Sequence, residues 1–293
     1  MFTRSSRRWA GVTVPALLLA VAGCGVWGND SAQGTPAAAP LPSLSAPASA
    51  SPSASRSVSL GSATPPVGEA ELSPAVQGKK VLVVGDSWAA YFGAGMAKVA
   101  SDGNVIVNAG LSGCGIMLPD TMRGKKTEPA CLKWPKEWPQ YMKQYKPDAV
   151  LLRTANMDMN GQSFDNSGVN LTIEYPAFRE RFIKNTGRAI DILTQNGTPV
   201  YMTNARIQTG SWKNLSLKMN DVVQEVADRY KDKGVHLLDL RAQLCNDNGC
   251  PSVAGGHKLY DETDHPAEWS RDRLSIWLLN AMFAGSPAGT GSM

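Results

Sequence analysis

Lys80-Val81-Leu82-Val83-Val84-Gly85-Asp86-Ser87-Trp88 is the stretch on which the fold turns. Val81 to Val84 are apolar with no polar alternation, the pattern of a strand covered on both faces. Such strands belong to parallel sheets with helices above and below. Ser87 to Ala100 then reads as a helix. The same unit recurs down the chain. Strands are predicted at Asn104–Val107, Asp148–Leu152, Thr198–Met202 and Val235–Asp239. Helices are predicted at Trp134–Tyr145, Ile173–Gln195, Leu217–Tyr230 and Pro266–Phe283. This order predicts an α/β protein, a three-layer α/β/α sandwich around a five-stranded parallel sheet. Ligands in such sheets sit at the carboxyl ends of the strands. No internal repeat is evident.

Outward from this block the composition changes. Arg4, Arg7 and Arg8 precede a short apolar run, Val12 to Ala22, interrupted by Pro15. The run is well short of the ~20 residues needed to cross a bilayer, so residues 1–23 read as a signal peptide. It ends Val21-Ala22-Gly23-Cys24, small residues before a cysteine, as in a bacterial lipobox with Cys24 as the lipidated residue. Ser6-Arg7-Arg8-Trp9 leaves twin-arginine and general export both open. Residues 24–77 are rich in Ala, Ser and Pro and read as a disordered tether, as do 285–293 as a tail. The folded domain is then 78–284. The net charge is +4, and without the three leader arginines it is +1. That balance excludes the electrostatic footprint of a nucleic-acid binder.

The chain has five cysteines. With Cys24 assigned to lipid, Cys114, Cys131, Cys245 and Cys250 allow three disulfide pairings. A local Cys245–Cys250 bridge would leave Cys114–Cys131 to staple a long loop. A four-cysteine zinc site is the competing arrangement, disfavoured by the lack of C-x-x-C spacing and by an oxidising compartment.

Chemistry-bearing residues fall at the predicted strand ends. Ser87 follows the first strand at a strand-to-helix turn, placed as a nucleophile or as an ordinary helix cap. Asn108-Ala109-Gly110-Leu111-Ser112-Gly113 follows the second, with glycines that allow close backbone approach or merely a turn. Asn156 follows the third, an amide donor or a solvated loop residue. Before the last helix comes Tyr260-Asp261-Glu262-Thr263-Asp264-His265. Of three histidines, His265 alone has acids beside it, as a general base or a capped helix start. His236 falls within a strand, and His257 lies in a Gly-rich loop. Trp88, Trp134 and Trp212 offer sugar-stacking faces or simple apolar burial. No cofactor, metal or nucleotide motif is present.

Together these blocks resemble the SGNH hydrolase family, the GDSL-like esterases, whose fold is flavodoxin-like. Gly85-Asp86-Ser87 matches its first block and implies Ser87 as nucleophile. Asn108 to Gly113 matches the second and implies Ser87 N–H and Gly113 N–H in an oxyanion hole. Thr154-Ala155-Asn156-Met157 departs from the expected Gly-x-Asn-Asp but keeps Asn156 as the third donor. The family's Asp-x-x-His implies an acid three residues before His265, which is Glu262; Asp261, one further back, is the alternative. A closer resemblance is to SGNH domains attached to acyltransferase-3 membrane proteins. It rests on Gly113-Cys114-Gly115, Cys131-Leu132-Lys133-Trp134, and Leu244-Cys245 through Cys250-Pro251. It supports the pairings Cys114–Cys131 and Cys245–Cys250.

The resemblance implies a serine esterase or O-acyltransferase acting on acyl, especially acetyl, esters of cell-envelope glycans or glycolipids. Its expected place is extracytoplasmic, lipid-anchored to the outer face of the bacterial cytoplasmic membrane, with an acyltransferase-3 membrane protein as partner. The alternative from another class is a non-catalytic envelope lipoprotein that binds glycan or such an acyltransferase. A flavodoxin-like cofactor protein shares the layer order but would need a phosphate-cradling loop that the chain lacks.

Overall fold

The computed structural model describes residues 64–284. The signal peptide, Cys24, the tether up to residue 63 and the tail 285–293 lie outside the described residues. Five parallel strands form the central sheet: β1 (Lys80–Gly85), β2 (Val105–Gly110), β3 (Ala149–Arg153), β4 (Val200–Thr203) and β5 (Val235–Leu238), in the spatial order β2-β1-β3-β4-β5. This is the flavodoxin-like order, in which the chain reverses direction across the sheet beside β1.

The apolar run of β1 explains the layers. Its side chains alternate, so Leu82 and Val84 enter one core while Val81 and Val83 enter the other. All four are fully buried, each contributing about 1.5–3 kcal/mol. The first core is closed by α2 (Trp134–Tyr145), α3 (Pro176–Leu193) and α4 (Trp212–Tyr230). The second is closed by α1 (Ser87–Val99), α5 (Leu240–Leu244) and α6 (Glu268–Phe283).

Register sets the functional edge. Gly85 pairs with Gly110 on one side and with Arg153 on the other. Three strands therefore end level. Ser87, Gly113 and Asn156, two or three residues beyond those ends, emerge at the same edge of the sheet.

Several differences from the sequence reading have physical causes. The tether does not extend to residue 77. Val67 and Val76 are buried in the core that α6 covers, and Arg273 Nε donates to Val67 O at 3.0 Å. Composition hid this because a few well-placed apolar residues suffice when a groove is ready for them. Helix α3 begins at Pro176, which suits the first turn, and α4 begins at Trp212 rather than Leu217. The long loops after β2 and β3 are partly ordered as a small antiparallel sheet. Thr121–Met122 pairs with both Lys125–Lys126 and Gln162–Ser163. A second hairpin joins Val253–Ala254 to His257–Lys258. Strands of two residues are too short to show a period.

All four described cysteines are bonded, Cys114 to Cys131 and Cys245 to Cys250. The zinc arrangement is therefore not adopted.

Candidate active site

At the carboxyl edge of β1, β2 and β3 a cavity of about 570 Å³ opens, lined by Ser87, Gly113, Asn156 and His265 among others. These four residues come from four separate segments of chain.

Ser87 is the first residue of α1 and does not cap it. Asp86 takes that role, accepting N–H bonds from Trp88 at 2.9 Å and from Ala89 at 3.4 Å. The cap reading of Ser87 is thus replaced, and its hydroxyl has no hydrogen-bond partner among the described residues. Gly85 makes the turn possible. Its φ is +131°, and a Cβ there would lie 1.7 Å from Arg153 O. Ser87 N–H sits in the first turn of the helix, where backbone donors lack internal acceptors.

Gly113 has φ +79° with nothing near its would-be Cβ. Its open face suits the approach of a ligand to the backbone. The loop that carries it is fixed twice. Cys114 is tied to Cys131, and Asp158 accepts from Ile116 N and Met117 N, each at 3.1 Å.

Asn156 is oriented by a buried cation. Arg153 Nη2 donates to Asn156 Oδ1 at 3.0 Å, which leaves the amide Nδ2 as the free donor. Arg153 is fully buried, with its guanidinium 5.4 Å from the Trp88 ring. Burial pushes its pKa down, against the pull of Asp86 and Asp158. Burial likewise raises Asp86, against Arg153 and the helix N–H groups. Asp158 is raised to about 6, chiefly by burial, despite its loop N–H bonds. Ala155, just before Asn156, has φ +92°, a strained conformation for a residue with a side chain.

His265 is held by a short relay. Its Nδ1 lies 2.8 Å from Thr263 Oγ1, and Thr263 Oγ1 donates to Asp261 Oδ1 at 2.7 Å. With that polarity Nδ1 carries the proton, and Nε2 is left as the basic nitrogen. Tyr91 stacks on the imidazole at 4.3 Å and donates from its hydroxyl to Asp261 Oδ2 at 3.2 Å. Burial alone would raise the Asp261 pKa, but bonds from Thr263, His265 N–H and Tyr91 hold it below the usual carboxylate value.

Glu262, the acid expected from spacing, is not placed behind the ring. Its side chain is 87% exposed and lies 3.7 Å from Lys258. The cause is the turn. Asp261 N donates to His265 O, and Asp264 takes φ +67°. That closure puts Asp261 and Thr263 on the imidazole side and Glu262 outside. Asp264 is clamped by an ion pair with buried Arg206, which itself covers the Tyr260 ring. Among the described residues no direct hydrogen bond joins the Asp261 carboxylate to the imidazole, and Thr263 Oγ1 lies between them. Thr263 and Tyr91 had no sequence signal; Asp158 had only its place two residues after Asn156.

Ser87 Oγ makes no hydrogen bond to His265, although both line the cavity. The other histidines are engaged elsewhere: His236 stacks on Tyr201 and His257 on Trp269. Trp88 and Trp134 are buried, whereas Trp212, at the cavity, is 42% exposed. Among the described residues no group of His, Cys, Asp and Glu is arranged to hold a metal. No described helix is long and apolar enough to cross a membrane.

Sheet order and edge placement define an α/β domain with its candidate site at the carboxyl edge of the sheet. Residues 58–274 match the model of the SGNH domain that occurs fused to AT3 domains, and the chain belongs to that family. Solved structures of similar fold include a lipase/acylhydrolase from Enterococcus faecalis (16% identity, TM-score 0.44, covering 70% of this chain and 95% of that one). Another is a GDSL-like lipase from Bacteroides thetaiotaomicron (10% identity, TM-score 0.45, covering 70% and 88%). A third is the periplasmic domain of a lipopolysaccharide acetyltransferase from Salmonella ser. Paratyphi A (14% identity, TM-score 0.44, covering 69% and 83%). No curated protein matches the chain.

Proposed function

We propose that this protein is a serine-dependent acyl-transfer enzyme of the cell envelope, with Ser87 as nucleophile and His265 as general base. One observation carries the reading: Ser87, Gly113, Asn156 and His265 line one cavity at the carboxyl edge of the sheet. His265 Nε2 takes the hydroxyl proton as Ser87 Oγ attacks an ester carbonyl. The charge on the carbonyl oxygen is met by Ser87 N–H, Gly113 N–H and Asn156 Nδ2. His265 then returns the proton to the departing alcohol, leaving an acyl-Ser87. Water or a sugar hydroxyl attacks that acyl group, with His265 again as base. Removing one donor of such a hole lowers the rate by ~10²–10³.

The substrate class is an acyl, especially acetyl, ester of an envelope glycan or glycolipid. Cys24 is the lipid attachment point at the outer face of the membrane, and an acyltransferase-3 membrane protein is the partner. The family's description as fused to AT3 domains supports the last point.

The missing Ser87–His265 hydrogen bond favours a second reading, a glycan-binding module with no turnover. Hydrogen bonds of this kind often tighten only with substrate. Hydrolysis of 4-nitrophenyl acetate by the full chain separates the two. The enzyme reading predicts turnover that falls at least ~10³-fold in Ser87→Ala and in His265→Ala. A folded protein with no turnover above the two variants favours the binding module.

A further inference from the structure

The candidate site holds one cation that its own chemistry does not use. Among the described residues Arg123 is the only Lys or Arg that lines the Ser87 cavity. Among the described residues it has no acidic partner. The one lining carboxylate among the described residues, Asp264, is already paired with Arg206. Arg123 is exposed, and its guanidinium is oriented by a side-chain partner. Its Nε donates to Oδ1 of buried Asn160 at 2.7 Å, and Asn160 Nδ2 donates in turn to Met157 O at 2.9 Å. Its Nη2 lies 4.0 Å from Met157 Sδ. The guanidinium is thus aimed from the chain segment that presents Asn156, with Nη1 and most of Nη2 unspent.

The backbone supports the same point. Arg123 and Gly124 form the two-residue turn between Thr121–Met122 and Lys125–Lys126, with φ +52° and +71°. Such a turn favours Asn, Asp or Gly at its first position. Arginine there is a poor turn residue and a good oxyanion ligand. A guanidinium fork matches a carboxylate or phosphate with two parallel charge-assisted bonds.

On the reading of this cavity as the acyl-transfer site, we infer that its substrate is anionic, and that Arg123 binds a carboxylate or phosphate carried near the acylated hydroxyl. Uronic acids and sugar phosphates share this chemistry. Arg123 is then a specificity residue, acting on binding more than on the reacting bond.

The test uses the full chain and three probes: acetylated methyl glucoside, its glucuronic acid counterpart and its 6-phosphate. The inference predicts a kcat/KM at least about tenfold higher for one or both anionic sugars, expressed mainly in KM. Arg123→Gln should bring the ratio close to one. Arg123→Lys should keep part of it, and Lys126→Gln, on the adjoining strand, all of it. Whichever anionic sugar is preferred identifies the source of the charge. The same sugars are titrated calorimetrically into Ser87→Ala and Ser87→Ala/Arg123→Gln, so binding is read without turnover. An anionic preference in binding alone supports the inference while removing the catalytic reading. Equal affinity for the three sugars, or a preference that survives Arg123→Gln, overturns it.

Discussion

At the residue scale, the geometry around His265 separates two acids that spacing alone left open. Asp261 reaches the imidazole through Thr263 Oγ1, and Glu262 faces Lys258. Glu262→Gln should therefore leave kcat within about twofold, as for other exposed substitutions. Thr263→Val and Asp261→Asn should each lower kcat by ~10²-fold, because the tautomer and orientation of the base are lost. Steady-state kinetics on one aryl ester checks all three, and a large loss in Glu262→Gln alone would reverse the assignment. That Ser87, Gly113, Asn156 and His265 meet at one edge of the sheet was legible in the sequence because each follows or precedes a recognisable strand or helix. Thr263, Arg123 and Asn160 were not. Their roles depend on turns whose positive φ values at Asp264 and Arg123 no hydrophobic period encodes.

At the element scale, the loop after β2 is irregular but held, by the Cys114–Cys131 bond and by Asp158. Asp158 anchors it from beneath, at the cost of a carboxylate buried beside Arg153. Its pKa is about 6 in the folded protein against 3.8 ordinarily. Between those values the native state holds a proton that the unfolded chain has released. Asp158 therefore favours folding most at acid pH, and that contribution is lost as pH rises through about 6. Relative to Asp158→Asn, the wild type should lose on the order of 3 kcal/mol between pH 4 and pH 7. Urea denaturation of both proteins at several pH values measures it. A wild type that gains stability relative to Asp158→Asn as pH rises would contradict the environment assigned to Asp158. The five sheet strands and their helices were legible because burial on both faces leaves continuous apolar runs. The two-residue strands around Arg123 were not, since their pairing is set by tertiary contact.

At the scale of the whole molecule, the described segment ahead of β1 belongs to the domain and not to the tether. Val67 N–H reaches Gln243 O, Ser73 N–H reaches Asn280, and Val67 and Val76 complete the core beneath α6. A chain beginning at Gly78 exposes that core. It should be less stable than one beginning at Thr64 by about 3–5 kcal/mol, from two buried valines and the lost backbone bonds. Equal melting temperatures would show that this segment only rests on the surface. The α/β layering was legible because it repeats; this strap was not, because it is short, shows no hydrophobic period and still carries Pro and Ala like the chain before it. The proposed reaction requires Ser87 to be an activated nucleophile. The most direct test is labelling of the full chain with a fluorophosphonate, followed by peptide mass spectrometry. One adduct is expected, on Ser87, and it should be lost in His265→Ala while the fold is retained. Well-folded protein without an adduct, or with one on a serine outside the cavity, would contradict the proposal.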